Sequence, residues 1–483
     1  MAPDATSEQP DPLSGAAVDG LDLATASAVE TAAAVRSGRL TARAAVEAAL
    51  ARIEARDPAL NAFTVVRAAE ALAEADALDA GGPGHDGPLA GVPIAVKEEY
   101  DVAGLPTTLG GRGNSTPVAA DSEVIRRVRA AGAIIVGKTT MPEFGQFPFT
   151  HSDRYGVTQN PWAPGRYPGG SSGGSAVAVA AGMVPLALGA DGGGSIRIPA
   201  SACGIVGLKP TRGLVSLAPL AQHWYGLVAL GGLSRTVADT ALLLDVIAGA
   251  SDVDRWRVPV PPTPFAEVAA QSPGHLRIAT TTASVLATQR TDPEVAAAVE
   301  RVADALTALG HDVRATGAHW PVPTAAFLPQ LFAGMATEAA SVEHPELLEP
   351  RTRQTARMAF WARPRVVERA LRMGHGVAAA VDDRVLGRAD VVVLATQPVL
   401  TPEVGLLDGV GSVRAMLRSM PYVANTAIAN VTGHPAISVP AGFSRDGVPI
   451  GVQLLARRGQ DGLLLALAAQ LEGALGRPAV APA

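Results

Sequence analysis

Gly169 to Gly182 reads GGSSGGSAVAVAAG and Gly189 to Gly213 reads GADGGGSIRIPASACGIVGLKPTRG, two glycine-serine turns joined by one apolar segment. Glycines on both sides of a serine let a substrate carbonyl come close and leave backbone N–H groups free to point at it. Such a turn suits a serine nucleophile. Upstream, Val92 to Thr108 (VPIAVKEEYDVAGLPTT) sets Lys97 at the end of an apolar, strand-like run, where a buried ammonium is unusual unless it has a task. A lysine and two serines on glycine-rich turns point to acyl transfer without histidine.

Outward from these turns the pattern is α/β. Leu21 to Arg56 is alanine-rich with apolar residues at helical spacing and a break at Ser37-Gly38, so it predicts two helices, the second capped by Thr41. Ala62 to Val66 reads as a short strand followed by a helix through Asp79, and Gly81 to Gly87 as a loop. Pro93 to Val96 and Ala133 to Val136 read as buried strands around an Arg-bearing helix from Asp121 to Ala131. Thr236 is placed to cap an apolar helix reaching Ala248. Leu276 to Thr280 and Val391 to Ala395 look like strands, and Val439-Pro440 with Gly451 to Leu455 is expected to close the sheet. Pro259 to Phe265 (PVPPTPF) is a linker or long loop, and the stretch from there to Asp390 reads as more helical. No internal repeat is visible.

Composition narrows the class. The chain has 483 residues, 48% hydrophobic and 17% charged, which is globular and long enough for a large core. A formal net charge of −6 gives no general attraction for phosphate backbones, so nucleic acid is not an expected partner. The arginines from Arg351 to Arg372 read as a solvated helix face. With Cys203 as its single cysteine the chain can form no internal disulfide and no structural cysteine zinc site, which fits a reducing cytoplasm. Residues 1–20 are acidic, rich in Pro and Ser and without an apolar signal core, so a disordered tail is expected and neither export nor membrane insertion is indicated. The longest apolar candidate, Ala176 to Ala190, is broken by Gly182, Pro185 and Gly189.

Three short patterns match known motifs, and context decides what each can do. Gly132 to Thr139 (GAIIVGKT) satisfies the phosphate-loop spacing, but its four intervening residues are the strand itself and Pro142 follows, so no helix can open there. Gly82 to Gly87 (GPGHDG) fits the dinucleotide fingerprint but leads into a strand. Gly169 to Gly173 (GGSSG) matches a nucleophile elbow, which would make Ser171 the nucleophile with His434 as a candidate partner. That remains an alternative.

GGSSGGSA, DGGGSIRIP and CGIVGLKPT, with PIAVK and GKTTMPEFG before them, together resemble the amidase signature family of Ser-cisSer-Lys hydrolases. The resemblance extends through LSRTVADTALLLDVIAG (Leu233 to Gly249) to NVTGHPAISVPAGF and GVPIGVQLLA (Asn430 to Ala456), and fades in the tail and between Asp252 and Asp390. It implies a mixed, twisted sheet covered by helices, with residues 21–475 as one domain. Its core motifs fall in 90–250 and 390–456, a helical substrate-shaping insertion in about 252–390, and a C-terminal tail in 476–483. It also implies Ser195 as nucleophile, Ser171 as the bridging serine in a cis peptide, and Lys97 as the base at the end of the relay. The amides of Gly192, Gly193, Gly194 and Ser195 would form the oxyanion hole, where one donor is typically worth roughly 3 kcal/mol in the transition state. No metal or cofactor is needed by such a relay.

The chemistry of the residues agrees with these roles. A serine hydroxyl needs a base in hydrogen-bond reach, and lysine serves only when neutral, a form that burial favours. Asp191 and Arg197 flank the nucleophile and are expected to hold its loop through hydrogen bonds, while Ser172 and Ser175 read as turn and helix N-terminal hydrogen-bonders. Cys203 reads as a small buried hydrophobe. For substrate contacts the candidates are Phe144, Gly169, Gly170, Trp224 and Tyr225, with Trp320 and Phe332 from a proline-punctuated stretch suited to a lid or pocket wall. The expected partner is a small-molecule amide, with no membrane, and a second copy in a homodimer as the oligomeric option.

Departures from the family pattern are local. Glu98 and Glu99 follow the lysine where the family usually has aspartate and a polar residue, and a carboxylate close to Lys97 would favour its ammonium form. Ala190 and Gly192 stand where threonine and a β-branched residue are common. Pro142 stands where A-type subunits of tRNA-dependent amidotransferases commonly carry aspartate, which favours a stand-alone amidase.

Overall fold

A computed structural model gives the structure of the chain and describes residues 21–317, 319–476 and 480–482. The expected tail at 1–20 lies outside the described residues. Among the described residues thirteen strands are formed: Phe63–Val66 (β1), Pro93–Lys97 (β2), Ile134–Thr139 (β3), His151–Ser152 (β4), Gly156–Val157 (β5), Leu186–Asp191 (β6), Val206–Lys209 (β7), Ala229–Ser234 (β8), Arg277–Thr281 (β9), Asp312–Ala315 (β10), Val391–Ala395 (β11), Ala436–Phe443 (β12) and Pro449–Ala456 (β13). Apart from the β4–β5 pair they make one 11-stranded sheet in the order β1-β3-β2-β6-β8-β7-β12-β13-β11-β9-β10.

The sheet is mixed, as expected. β3, β2 and β6 run parallel on one side and β11, β9 and β10 on the other, with antiparallel pairs between them. Helices cover both faces, so β2, β3, β6 and β11 are buried along their whole length, and such strands read as unbroken apolar runs rather than alternations. That is why β2, β3 and β11 are legible in the sequence. β8, ALGGLS, is not. Its two glycines dilute the pattern, and Gly231 is needed, since a Cβ there would lie 2.3 Å from the backbone oxygen of Leu208.

Three expectations are corrected. β12 and β13 do not close the sheet but sit in its middle, because β9, β10 and β11 add beyond them. For the same reason the stretch from Asp252 to Asp390 is not simply an inserted helical unit: its first part supplies β9 and β10, and of its helices Thr324–Ser341 and Pro350–Met358 reach the cleft side. The arginine face is partly structural, since Arg351 donates to Leu407 O at 2.6 Å and Arg353 to Leu348 O, while Arg357, Arg363, Arg365, Arg369 and Arg372 are exposed. Of the C-terminal tail, residues 480–482 are docked, with Ala481 N donating to Ala180 O at 2.8 Å.

Thr41 and Thr236 cap their helices as expected, accepting from Ala44 N and Asp239 N at 3.1 Å each. Among the described residues no helix is long and apolar enough to cross a membrane.

Candidate active site

The parallel strands β3, β2 and β6 end side by side, and the carboxyl ends of parallel strands are where an open α/β sheet leaves room for a ligand. Lys97 is the last residue of β2 and is 1% exposed. Its Nζ donates to Ser171 Oγ at 2.9 Å and lies 3.5 Å from Ala190 O. Ser171 follows a cis Gly170–Ser171 peptide, as the resemblance implied. The turn then enters the helix Gly173–Ala180, whose first residues press on the end of β3: a Cβ on Gly174 would lie 2.5 Å from Thr140 N. Glycine is required there by close approach.

Ser172 and Ser175 hold the turn through hydrogen bonds to the β6 backbone. Ser172 sits at the N-cap position without a capping bond; its Oγ instead donates to Ala190 O at 3.2 Å and accepts from Ala190 N at 3.3 Å. Ser175 Oγ donates to Leu188 O at 2.9 Å. Both pin the turn to β6, because the buried strand end supplies stronger local partners than the helix start.

Ser195 lies four residues beyond β6, and its carbonyl accepts from Ser172 N at 3.1 Å, which ties the two serine turns together. Gly194 has φ +130°, and a Cβ there would meet Thr426 Oγ1 at 2.2 Å. The Gly194 amide donates to Asp191 Oδ1 at 2.7 Å. That corrects the fourfold oxyanion set, since an N–H committed to a carboxylate is not free for a substrate. The amides of Gly192, Gly193 and Ser195 make no hydrogen bond among the described residues. Neither does Ser195 Oγ, which faces the cleft.

Asp191 and Arg197 are both 0% exposed and form a bidentate pair, with Nε–Oδ2 and Nη2–Oδ1 at 2.9 Å each. Arg197 also donates to Gln453 Oε1 at 3.0 Å and Asn430 Oδ1 at 2.8 Å, and Asn430 Nδ2 donates to Asp191 O at 2.6 Å. Burial raises the Asp191 pKa, but Arg197 and then Asn430 outweigh it and hold the group at about 2. Sequence reasoning missed Asn430, Gln453 and Thr426; the available signal was a polar residue inside an otherwise apolar run.

Two other lysines are buried. Lys138 Nζ lies 3.2 Å from Glu98 Oε1 and donates to Pro106 O at 3.0 Å. Lys209 Nζ donates to Pro210 O at 2.7 Å, and burial together with the Arg197 charge lowers its pKa to about 7. Of the three, Lys97 is the one that touches a serine. His434 bonds Asp382 Oδ1 at 3.1 Å rather than Ser171, so the nucleophile-elbow arrangement is not assembled.

Ser195 and Gly193 open into a cleft of about 350 Å³ walled by apolar side chains, including Phe147, Phe327, Leu331, Phe332, Met416 and Met420. Trp224 and Phe332 form part of the wall. Five other candidates do not line this cleft. Phe144 is buried in the main core, and Trp320 packs on the cluster holding Ala279, Val285 and Leu394. Tyr225 faces a different cavity, and Gly169 and Gly170 pack against Pro199 and the Phe149 backbone. Large size near the serines in sequence does not decide which side of a turn a ring takes.

The Amidase family model matches residues 44–465. The chain belongs to the Amidase family. It is a hydrolase of carboxylic amide bonds, with the mixed α/β fold of that family. It is 43% identical over 464 residues to the "Putative amidase AmiB2" of Mycobacterium tuberculosis, covering 95% of this chain and 98% of that one. It is 37% identical over 471 residues to the 6-aminohexanoate-cyclic-dimer hydrolase of Paenarthrobacter ureafaciens, covering 91% and 93%. The structure of a 6-aminohexanoate cyclic dimer hydrolase complexed with substrate superposes with TM-score 0.88 at 34% identity, over 96% of this chain and 100% of that one. A bacterial aryl acylamidase superposes with TM-score 0.82 at 26% identity, over 93% and 96%.

Proposed function

We propose that this amidase works through an acyl-enzyme on Ser195, with Ser171 and Lys97 as its proton relay, on small amides with an apolar acyl group. The observation that carries this reading is the buried 2.9 Å bond from Lys97 Nζ to Ser171 Oγ beside a Ser195 that faces an apolar cleft. Catalytic hydrogen bonds often close only around substrate, so the Ser171–Ser195 contact is expected to form in the complex.

Neutral Lys97 takes a proton from Ser171 Oγ as Ser171 takes one from Ser195 Oγ. The Ser195 oxygen then attacks the substrate carbonyl, and the amides of Gly192, Gly193 and Ser195 receive the developing oxyanion. The proton returns through Ser171 to the leaving nitrogen, the C–N bond breaks, and water activated by the same relay releases the acid. Arg197, Asp191 and Asn430 act on this step by fixing the loop from which the amides project. The cleft walls are hydrocarbon apart from the polar floor, which suits an alkyl or aryl acyl chain. A cytoplasmic setting and a homodimer belong to the same reading.

Lys97→Ala tests the relay. Its kcat is expected to fall by about 10²–10⁴-fold with the circular dichroism spectrum unchanged, and near-normal turnover would remove lysine from the mechanism. Phe332→Ala tests the cleft: relative kcat/KM should shift toward bulkier acyl groups by about 10-fold or more while labelling of Ser195 by a small fluorophosphonate is kept. Trp320→Ala, which alters a different cluster, should leave that ratio alone.

A further inference from the structure

Glu99 is a charged neighbour of the lysine that the relay above leaves unused. Its Oε1 lies 3.0 Å from Lys97 Nζ, and the two side chains are 10% and 2% exposed. That oxygen makes no hydrogen bond among the described residues, so its contact with Lys97 is one of charge. The adjacent Glu98 is differently placed: it accepts from Thr108 N at 3.0 Å, from Thr108 Oγ1 at 2.9 Å and from Thr64 Oγ1 at 2.5 Å, and pairs with Lys138. The two carboxylates after the lysine therefore point to different cations.

On its other side Glu99 lines a second cavity of about 430 Å³, separated from the apolar cleft by Trp224, which borders both. Lys97 thus stands between a serine and a carboxylate that lines this second cavity. The charged and titratable groups facing this region come from several elements. The turn after β2 gives Tyr100 and Asp101, and β3 gives Lys138. The turn before β8 gives His223, bonded at 2.5 Å to Glu338 of the helix Thr324–Ser341, and Glu343 follows that helix. From β6 the neighbour is the uncharged Ala190 carbonyl.

We infer that Glu99 is the positioning residue of the lysine base, holding Nζ against Ser171 and stabilising the ammonium that Lys97 becomes when it accepts the Ser171 proton. This rests on the relay proposed above. The proton moves from Ser195 to Ser171 to Lys97 and back to the leaving nitrogen, and no bond to Glu99 forms. The carboxylate has two opposed consequences. It favours the ammonium in the resting enzyme, which delays the rise of activity with pH, and it favours the same ammonium as it forms in acylation, which raises the plateau. A side chain that merely supported the fold would do neither.

The experiment is the pH profile of kcat and kcat/KM for the full-length wild-type protein, Glu99→Gln, Glu99→Asp and Lys97→Ala, on one aryl amide, with circular dichroism of each. Glu99→Gln is expected to begin its rise at least about one pH unit lower and to reach a plateau kcat at least about tenfold lower, so that the two curves cross, with KM nearly unchanged. Glu99→Asp keeps the charge and should keep the wild-type position of the rise with a smaller loss of plateau. If Glu99→Gln fails to fold, Glu99→Asp carries the test by that split, and an Asp profile whose rise moves as the plateau falls overturns the inference. A Glu99→Gln curve that superimposes on wild type, or that falls uniformly at every pH, also overturns it. Lys97→Ala separates the two readings, because an active Lys97→Ala removes the relay itself, whereas an inactive one beside an unaltered Glu99→Gln removes only the role of Glu99.

Discussion

Ser195→Ala is expected to lower kcat by at least about four orders of magnitude while leaving thermal unfolding within a degree or two of wild type. The side chain lost is one hydroxyl with no hydrogen-bond partner among the described residues, in a turn already lined by glycine, so little folding energy depends on it. In the proposed mechanism all the chemistry depends on it, because this oxygen carries the acyl group. Ser171→Ala should also be severe, since it interrupts the path to Lys97, but it leaves the Ser195 hydroxyl in place. The comparison is read by steady-state turnover with active-site labelling: label retained in Ser195→Ala and lost in Ser171→Ala would reverse the assignment.

The largest structural effect is expected at Arg197. Arg197→Met removes five donors and leaves Asp191 fully buried without its ion partner, a change that typically costs about 3–5 kcal/mol. It also frees the carboxylate that holds the Gly194 amide, so the oxyanion turn loosens along with the core. Chemical denaturation should show the loss. Asp191→Asn in the same background should return part of it by removing the stranded charge. The pH dependence has a fixed sign: the Asp191 pKa is depressed below its ordinary 3.8, so its stabilisation is complete above that value and is lost as pH falls toward about 2. Equal stability of Arg197→Met and wild type in denaturant would show that the buried network contributes nothing net.

How much of this was legible in the sequence depended on what kind of fact it was. The buried strands β2, β3 and β11 and the caps Thr41 and Thr236 are local, set by runs and spacings, and they were readable. The pairing of Lys97 with Ser171 was implied through the family resemblance rather than by the residues alone. What could not be read was set by distant partners. Nothing in GGGS says that the third amide goes to Asp191, and nothing near Ser195 says that Asn430 and Gln453 reach back more than 200 positions to hold Arg197. The pocket residues show the same limit: Phe332 lines the cleft while Trp320 packs on the cluster of Ala279, Val285 and Leu394, a difference set by the elements that lie beside each ring and not by the local sequence. Glu98 and Glu99, adjacent and chemically alike, are sent to different lysines by the turn at the end of β2.

The account stands most directly on which oxygen carries the acyl group. Rapid quenching of wild-type enzyme during turnover of an activated aryl ester or anilide, followed by intact-mass analysis and peptide mapping, measures it. The proposed mechanism predicts one acyl adduct per chain on the peptide containing Ser195, absent in Ser195→Ala. An adduct on Ser171, or turnover with no adduct under conditions where deacylation limits the rate, would contradict it.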